Sequence, residues 1–155
     1  MGADVPAALR FRCDEIATAC ACASLRRAAR ALTQEYDAAI RSVGLRATQL
    51  TLMAAVVSAD GRAMTAVGRA LGMDRTTLTR NLHPLERAGL VRVAASADDA
   101  RRKVLRLTPK GTRLLAAAVP RWARVQAAVV ARLGRRRWAA LRQQLDSLTG
   151  ATDIS

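Results

Sequence analysis

The chain is predicted to be mainly α with a small β hairpin, and three observations carry that expectation. Its apolar fraction is 51%, yet the only aromatics are Phe11, Tyr36, Trp122 and Trp138, so Ala, Leu and Val in helix-compatible runs supply most of it. Apolar residues between Asp14 and Val43 recur at alternating spacings of three and four, the period of a helix face. Only VRVAA and KVLRL, on either side of the charged SADDARR, read as two short strands about a turn. At 155 residues the chain makes one folding unit, large enough to bury a core without disulfide staples.

Cys22, Leu25, Ala29, Leu32, Tyr36, Ala39 and Val43 form one apolar stripe on a helix of roughly 28 residues, from about Asp14. That is longer than one small core needs and implies a partner subunit, with Arg26, Arg27, Arg30 and Arg41 on the other faces. Gly44 closes it. A compact helix over Ala47 to Ala59 follows, with Leu50, Met53, Ala54 and Val57 inward; after ADGRAM comes a short one near Thr65 to Leu71, with Thr65 as cap and Val67, Ala70 and Leu71 inward. In GMDRTTLTRNLHPLERAGL, Gly72 ends one helix, Asp74 caps the next, and Gly89 ends that. Leu78, Leu82, Leu85 and Leu90 form its buried side, and Pro84 should remove a hydrogen bond or bend the axis. Thr108 and Pro109 open a helix towards Leu133, broken or bent near Pro120. Gly134 separates it from a last helix bearing Trp138, Leu141, Leu145 and Leu148, while residues 1–10 and 150–155 are expected to lie loose.

The 26 Lys and Arg against 12 Asp and Glu leave a net charge of +14, nearly all of it from arginine, whose guanidinium suits bidentate contact with phosphate or guanine. A polyanion is the first partner to consider, with RNA and membrane surfaces as alternatives. Arg10, Arg12, Asp14 and Glu15 interrupt the N-terminal apolar run, so a cytoplasmic, nucleoid-associated protein with no membrane partner is expected.

Two short helices, the second exposing Arg75, Thr76, Thr77, Thr79 and Arg80, followed by a basic hairpin, are the parts of a winged helix-turn-helix. The second helix would enter a major groove, and the hairpin would reach phosphates or the minor groove. Enzymatic chemistry is not expected. His83 is the sole histidine, with no metal-ligand or acid-base constellation about it, and Gly68, Gly72 and Gly89 do not form a phosphate loop. No cofactor and no metal site follow from the residues.

LGMDRTTLTRNLHPLERAGLVRV and DDARRKVLRLTPKG resemble the recognition helix and wing of the MarR family of bacterial transcriptional regulators, and the resemblance spans about residues 14–148. It implies a homodimer on a palindromic operator, usually a repressor of its own or neighbouring genes, with residues 14–46 and 109–148 as dimerisation helices and 47–108 as the winged DNA-binding region. By position, Asp99 and Arg101 match the wing's Asp-x-Arg pattern, in which the acid holds the arginine for the minor groove; Arg102 and Lys103 extend the charge. A low-specificity architectural or nucleoid-associated DNA binder is the alternative.

Cys13, Cys20 and Cys22 raise a separate question. In a regular helix Cys20 and Cys22 point roughly 160° apart and cannot clamp one ion or form a disulfide together. Within the MarR family, Cys22 with Tyr36 fourteen residues later resembles the reactive cysteine and a tyrosine partner of the organic-hydroperoxide-sensing branch, although the second tyrosine position is Ala47. The resemblance implies release from DNA by thiol oxidation, with Cys20 or Cys13 as resolving thiol, or by a small molecule in a cleft to which Tyr36 and Arg41 contribute. A soft metal bound across the three thiols, or cysteines that only pack, stand beside it.

Overall fold

The structure, a computed structural model, describes residues 5–61, 63–95 and 103–149. The chain divides into two compact units, Met1–Glu35 and Tyr36–Ser155.

In the first unit, helix α1 covers Ala7–Ala19 and α2, Ala21–Ile40, begins. The expected uninterrupted helix from Asp14 is therefore corrected. Cys20 adopts an extended conformation (φ −62°, ψ 118°) while its carbonyl accepts the Ser24 N–H at 3.0 Å, so it ends one helix and starts the next. A change of apolar phase accounts for the break, because stepping the Cys22–Leu25–Leu32 stripe back through α1 misses Ile16. Residues 7–10 are helical rather than loose, following Pro6, whose φ of −54° favours a helix start. No side chain of α1 is buried, and Phe11 is 68% exposed.

In the second unit α2 ends in a 3-10 turn, Arg41–Val43, closed by Gly44 at φ 76° as expected. Helix α3 covers Ala47–Ser58. Its first turn is held by Asp37, whose carboxylate accepts the Ala47 N–H at 2.6 Å, and by Gln49, whose side chain accepts the Arg46 N–H at 2.9 Å. Leu50, Leu52, Met53 and Val56 are buried, whereas Ala54 is exposed and Val57 is 54% exposed. The expected inward face was thus partly misplaced, since LTLMAAVV is apolar all round and neighbours, not a stripe, choose the buried side.

Helix α4, Met64–Ala70, starts at Ala63 without a side-chain cap, so Thr65 lies inside it and not at its cap. Ala63 forms an antiparallel bridge with Val104, and that backbone pairing fixes the helix start. Val67 and Gly68 are buried, Leu71 is half-buried, and Ala70 faces outward, contrary to expectation. Helix α5, Arg75–Arg87, buries Leu78, Leu82 and Leu85 and continues through Pro84, which lies on its exposed side. Gly89 (φ 67°) turns the chain into strand β1, Val91–Ala95, which pairs antiparallel with β2, Lys103–Leu107, in the register Val91 to Leu107 and Val93 to Leu105.

Helix α6, Pro109–Leu133, is unbroken at Pro120. It opens on a cap of its own and on two ties to the turn that follows α5. The Thr108 hydroxyl donates to the Gly89 carbonyl at 2.6 Å and accepts the Gly111 N–H at 3.0 Å; the Lys110 ammonium donates to the Ala88 carbonyl at 2.8 Å. Gly111 lies so close to the backbone just before β1 that a Cβ there would sit 2.0 Å from the Leu90 carbonyl oxygen. Among the described residues α6 is the one helix whose length and composition would let it cross a membrane, a pattern core helices share; its Ala118 and Val129 are buried. After Gly134, α7 covers Arg135–Thr149 and buries no side chain: Trp138, Leu141 and Leu145 are half-buried and Leu148 is 71% exposed. The core lies between α3, α4, α5, the hairpin and the start of α6, around Ile40, Leu52, Met53, Leu82 and Leu85.

Candidate nucleic-acid interface

The apolar period of α5 directs its leucines inward and leaves a polar outer face. Asp74 anchors the first turn: its carboxylate accepts both the backbone N–H and the hydroxyl of Thr77, at 2.7 and 3.1 Å. Those bonds hold its pKa below the ordinary carboxylate value, with lesser help from the Thr76 N–H and the charge of Arg80. Thr77 is half-buried and its hydroxyl is engaged in the cap, while the Thr79 hydroxyl donates back to the Arg75 carbonyl at 2.8 Å.

Arg75, Thr76, Thr79 and Arg80 come together around one open concavity with His83. His83, for which the sequence offers no catalytic or metal constellation, joins this face instead. Its position four residues after Thr79 and seven after Thr76 places it on their face, and that spacing was legible in the sequence. A second cavity, about 410 Å³, lies between α4, α5 and β2 and brings Arg75 and Lys103 to its edge over Met64, Met73 and Leu78. Lys103, at the turn end of the hairpin where it pairs with Ala95, thus neighbours the recognition-type helix. Asp99, Arg101 and Arg102 lie outside the described residues.

The remaining predicted residues lie elsewhere. Cys13 is exposed on α1, Cys20 is half-buried at the break, and Cys22 is exposed in the first turn of α2; all three are free thiols. Tyr36, in the second unit, donates its hydroxyl to the side-chain oxygen of Gln126 on α6, a partner that sequence reasoning missed because it is ninety positions away. Arg121 of α6 likewise donates to the Ser42 hydroxyl at 3.1 Å. No group of three His, Cys, Asp or Glu able to hold a metal occurs among the described residues.

A capped, cation-fronted helix beside a short antiparallel hairpin defines a winged helix-turn-helix regulator. A family model described as MarR family matches residues 43–102. The M. tuberculosis transcriptional regulator MosR, solved in complex with DNA, is 45% identical, with 85% of this chain and 95% of that chain covered and a TM-score of 0.75. The transcriptional repressor CouR, solved on a 23-mer DNA duplex, is 27% identical over 86% of this chain and 94% of its own, with a TM-score of 0.73. PcaV from Streptomyces coelicolor, solved with its natural ligand, is 25% identical over 89% and 96% respectively, with a TM-score of 0.74. No curated protein sequence matches. The chain belongs to the MarR family and is a DNA-binding regulator of transcription.

Proposed function

We propose that the protein is a cytoplasmic homodimeric repressor that binds a palindromic operator near its own gene, with no catalytic activity and no resident cofactor. The observation that carries this reading is the outer face of α5, where Arg75, Thr76, Thr79 and Arg80 surround one concavity on a helix whose start is fixed by Asp74. In the major groove the arginines would address guanine edges or phosphates and the threonines base edges or thymine methyls. Asp99 and Arg101 are assigned to the wing by their match to the family pattern, Arg102 as an extension of its charge, and Lys103 by its place at the turn end of β2.

Residues 14–46 and 109–148 are proposed as the dimer body. The apolar face of α7 is at most half-buried in one chain, and Val119 and Trp122 of α6 are exposed, as surfaces awaiting a second subunit would be. Each protomer then supplies one winged region to one half-site.

Release is assigned to the thiols or to a small ligand. A hydroperoxide would oxidise the Cys22 thiolate to a sulfenic acid, itself reduced to the alcohol; a second thiol would displace water to give a disulfide. The helix break supports Cys20 as that second thiol, because the 160° divergence holds only in a regular helix. CouR bound to p-coumaroyl-CoA supports the ligand route by relationship.

Fluorescence anisotropy on the palindrome upstream of the gene is expected to show tight binding that weakens with salt and exceeds binding to scrambled duplex by about a thousandfold or more. Equal affinity for both duplexes would instead establish the low-specificity architectural reading, which the charge of +14 favours. Repeating the titration after mild cumene hydroperoxide treatment, with wild type and Cys22→Ser, separates the release routes: oxidative loss confined to wild type and reversed by reductant identifies the thiol.

A further inference from the structure

Between Lys103 and Leu145 the sequence contains no Asp or Glu, and the cations in that stretch are not all explained by structure. Lys110 ties α6 to α5, Arg121 holds Ser42, and Arg132 lies in the last turn of α6, where a cation suits the negative end of the helix dipole. Arg135, Arg136 and Arg137 are different. They form the first turn of α7, directly after Gly134, with no acidic residue in that turn. All three are exposed. Three cations at the positive end of a helix oppose its dipole and repel one another, so folding gains nothing from them. Arg142, two turns on, lies over Arg135 on the same flank, beside the Trp138–Leu141–Leu145 face and not within it.

This elbow is remote from the winged region. Helix α6 packs at Gly111 on the Leu90 backbone just before β1, and its 25 residues carry the chain about 37 Å before the elbow is reached, well beyond the roughly 12 Å width of a major groove. The groove that receives α5 therefore does not also receive Arg135–Arg137.

We propose that Arg135, Arg136, Arg137 and Arg142 form a second polyanion-binding surface that takes the phosphate backbone of another duplex segment, so that the operator-bound regulator tethers a second stretch of DNA. The proposal rests on the operator-binding reading above. Duplex DNA is the favoured occupant because four guanidinium groups spread around a helix end match a row of phosphates, while the one aromatic beside them, Trp138, is half-buried on the Trp138–Leu141–Leu145 face and is not presented as an open stacking platform.

The test uses the full chain and Arg135→Gln/Arg136→Gln/Arg137→Gln. Operator affinity by anisotropy is expected to agree between the two within twofold. Beads carrying operator duplex are then saturated with protein, washed, and offered a labelled unrelated duplex. Wild type is expected to retain at least tenfold more label than the variant, with the difference vanishing as salt rises. Equal retention overturns the proposal. So does dissociation of the variant in sedimentation where wild type stays dimeric, which would make the arginines a subunit contact. Loss of phosphatidylglycerol-vesicle binding by the variant, with label retention unchanged, would overturn it in favour of a lipid surface. If wild type shows no operator preference, the repressor reading fails alone; unrelated duplex at saturation in free solution then tests the elbow, and one fewer bound segment on the variant upholds it while equal stoichiometry refutes it.

Discussion

Asp74 joins fold and function at the scale of one side chain. It accepts two bonds from Thr77 and so orients the first turn of α5, from which Arg75 and Thr76 project. Because its folded pKa is lowered relative to the unfolded chain, its contribution to stability is fully present above the ordinary carboxylate range and is lost as pH falls through the lower folded value. Thermal melts between pH 7 and pH 2.5 should show this acid-dependent loss reduced in Asp74→Ala relative to wild type. Asp74→Asn, still an N-cap residue, should keep most of the neutral-pH stability without that titration. Asp74 was readable in sequence as a cap, because its type and place before a periodic apolar run state the requirement locally. Asp37, which secures α3 from ten residues upstream, was not, because nothing local ties it to Ala47.

Elements were legible to the degree that their determinants are local. The four leucines of the α5 segment, the Thr108–Pro109 start of α6 and the paired strands carry complete signals within a few residues, and each is found where it was expected. The inward face of α3 and the interruption at Cys20 were misread, because one depends on neighbouring elements and the other on a phase change between two half-patterns. Gly111 belongs with these, since its need for a bare Cα arises from the Leu90 backbone across the fold. Gly111→Ala must move either α6 or β1 and is expected to cost about 1–3 kcal/mol, in the range of overpacked cores. Urea unfolding would register it as a lower midpoint at constant m-value.

For the whole molecule, the location of the interface was legible and its composition only in part. The cation-fronted helix could be placed from the sequence, but the nearness of Lys103 to Arg75 and the bond from Tyr36 to Gln126 arise from folding. The proposed dimer makes a prediction at this scale. Leu141→Gln/Leu145→Gln should leave the second unit folded, since α7 buries no side chain in one chain, yet shift sedimentation towards monomer and weaken operator binding by tenfold or more. A variant that remains dimeric would refute the assignment of α7 to the subunit interface.

The junction of α5 and α6 has a mechanical consequence. The Ala88 and Gly89 carbonyls just past α5 are gripped by Lys110 and Thr108, and Gly111 removes the spacer that any other side chain would place between α6 and the Leu90 backbone. If the proposed release holds, the absence of slack at that seam would make α6 the handle of a lever. A tilt imposed along its length would reach the α5 face as rotation, and a signal received far from DNA would need no separate linkage to disengage it.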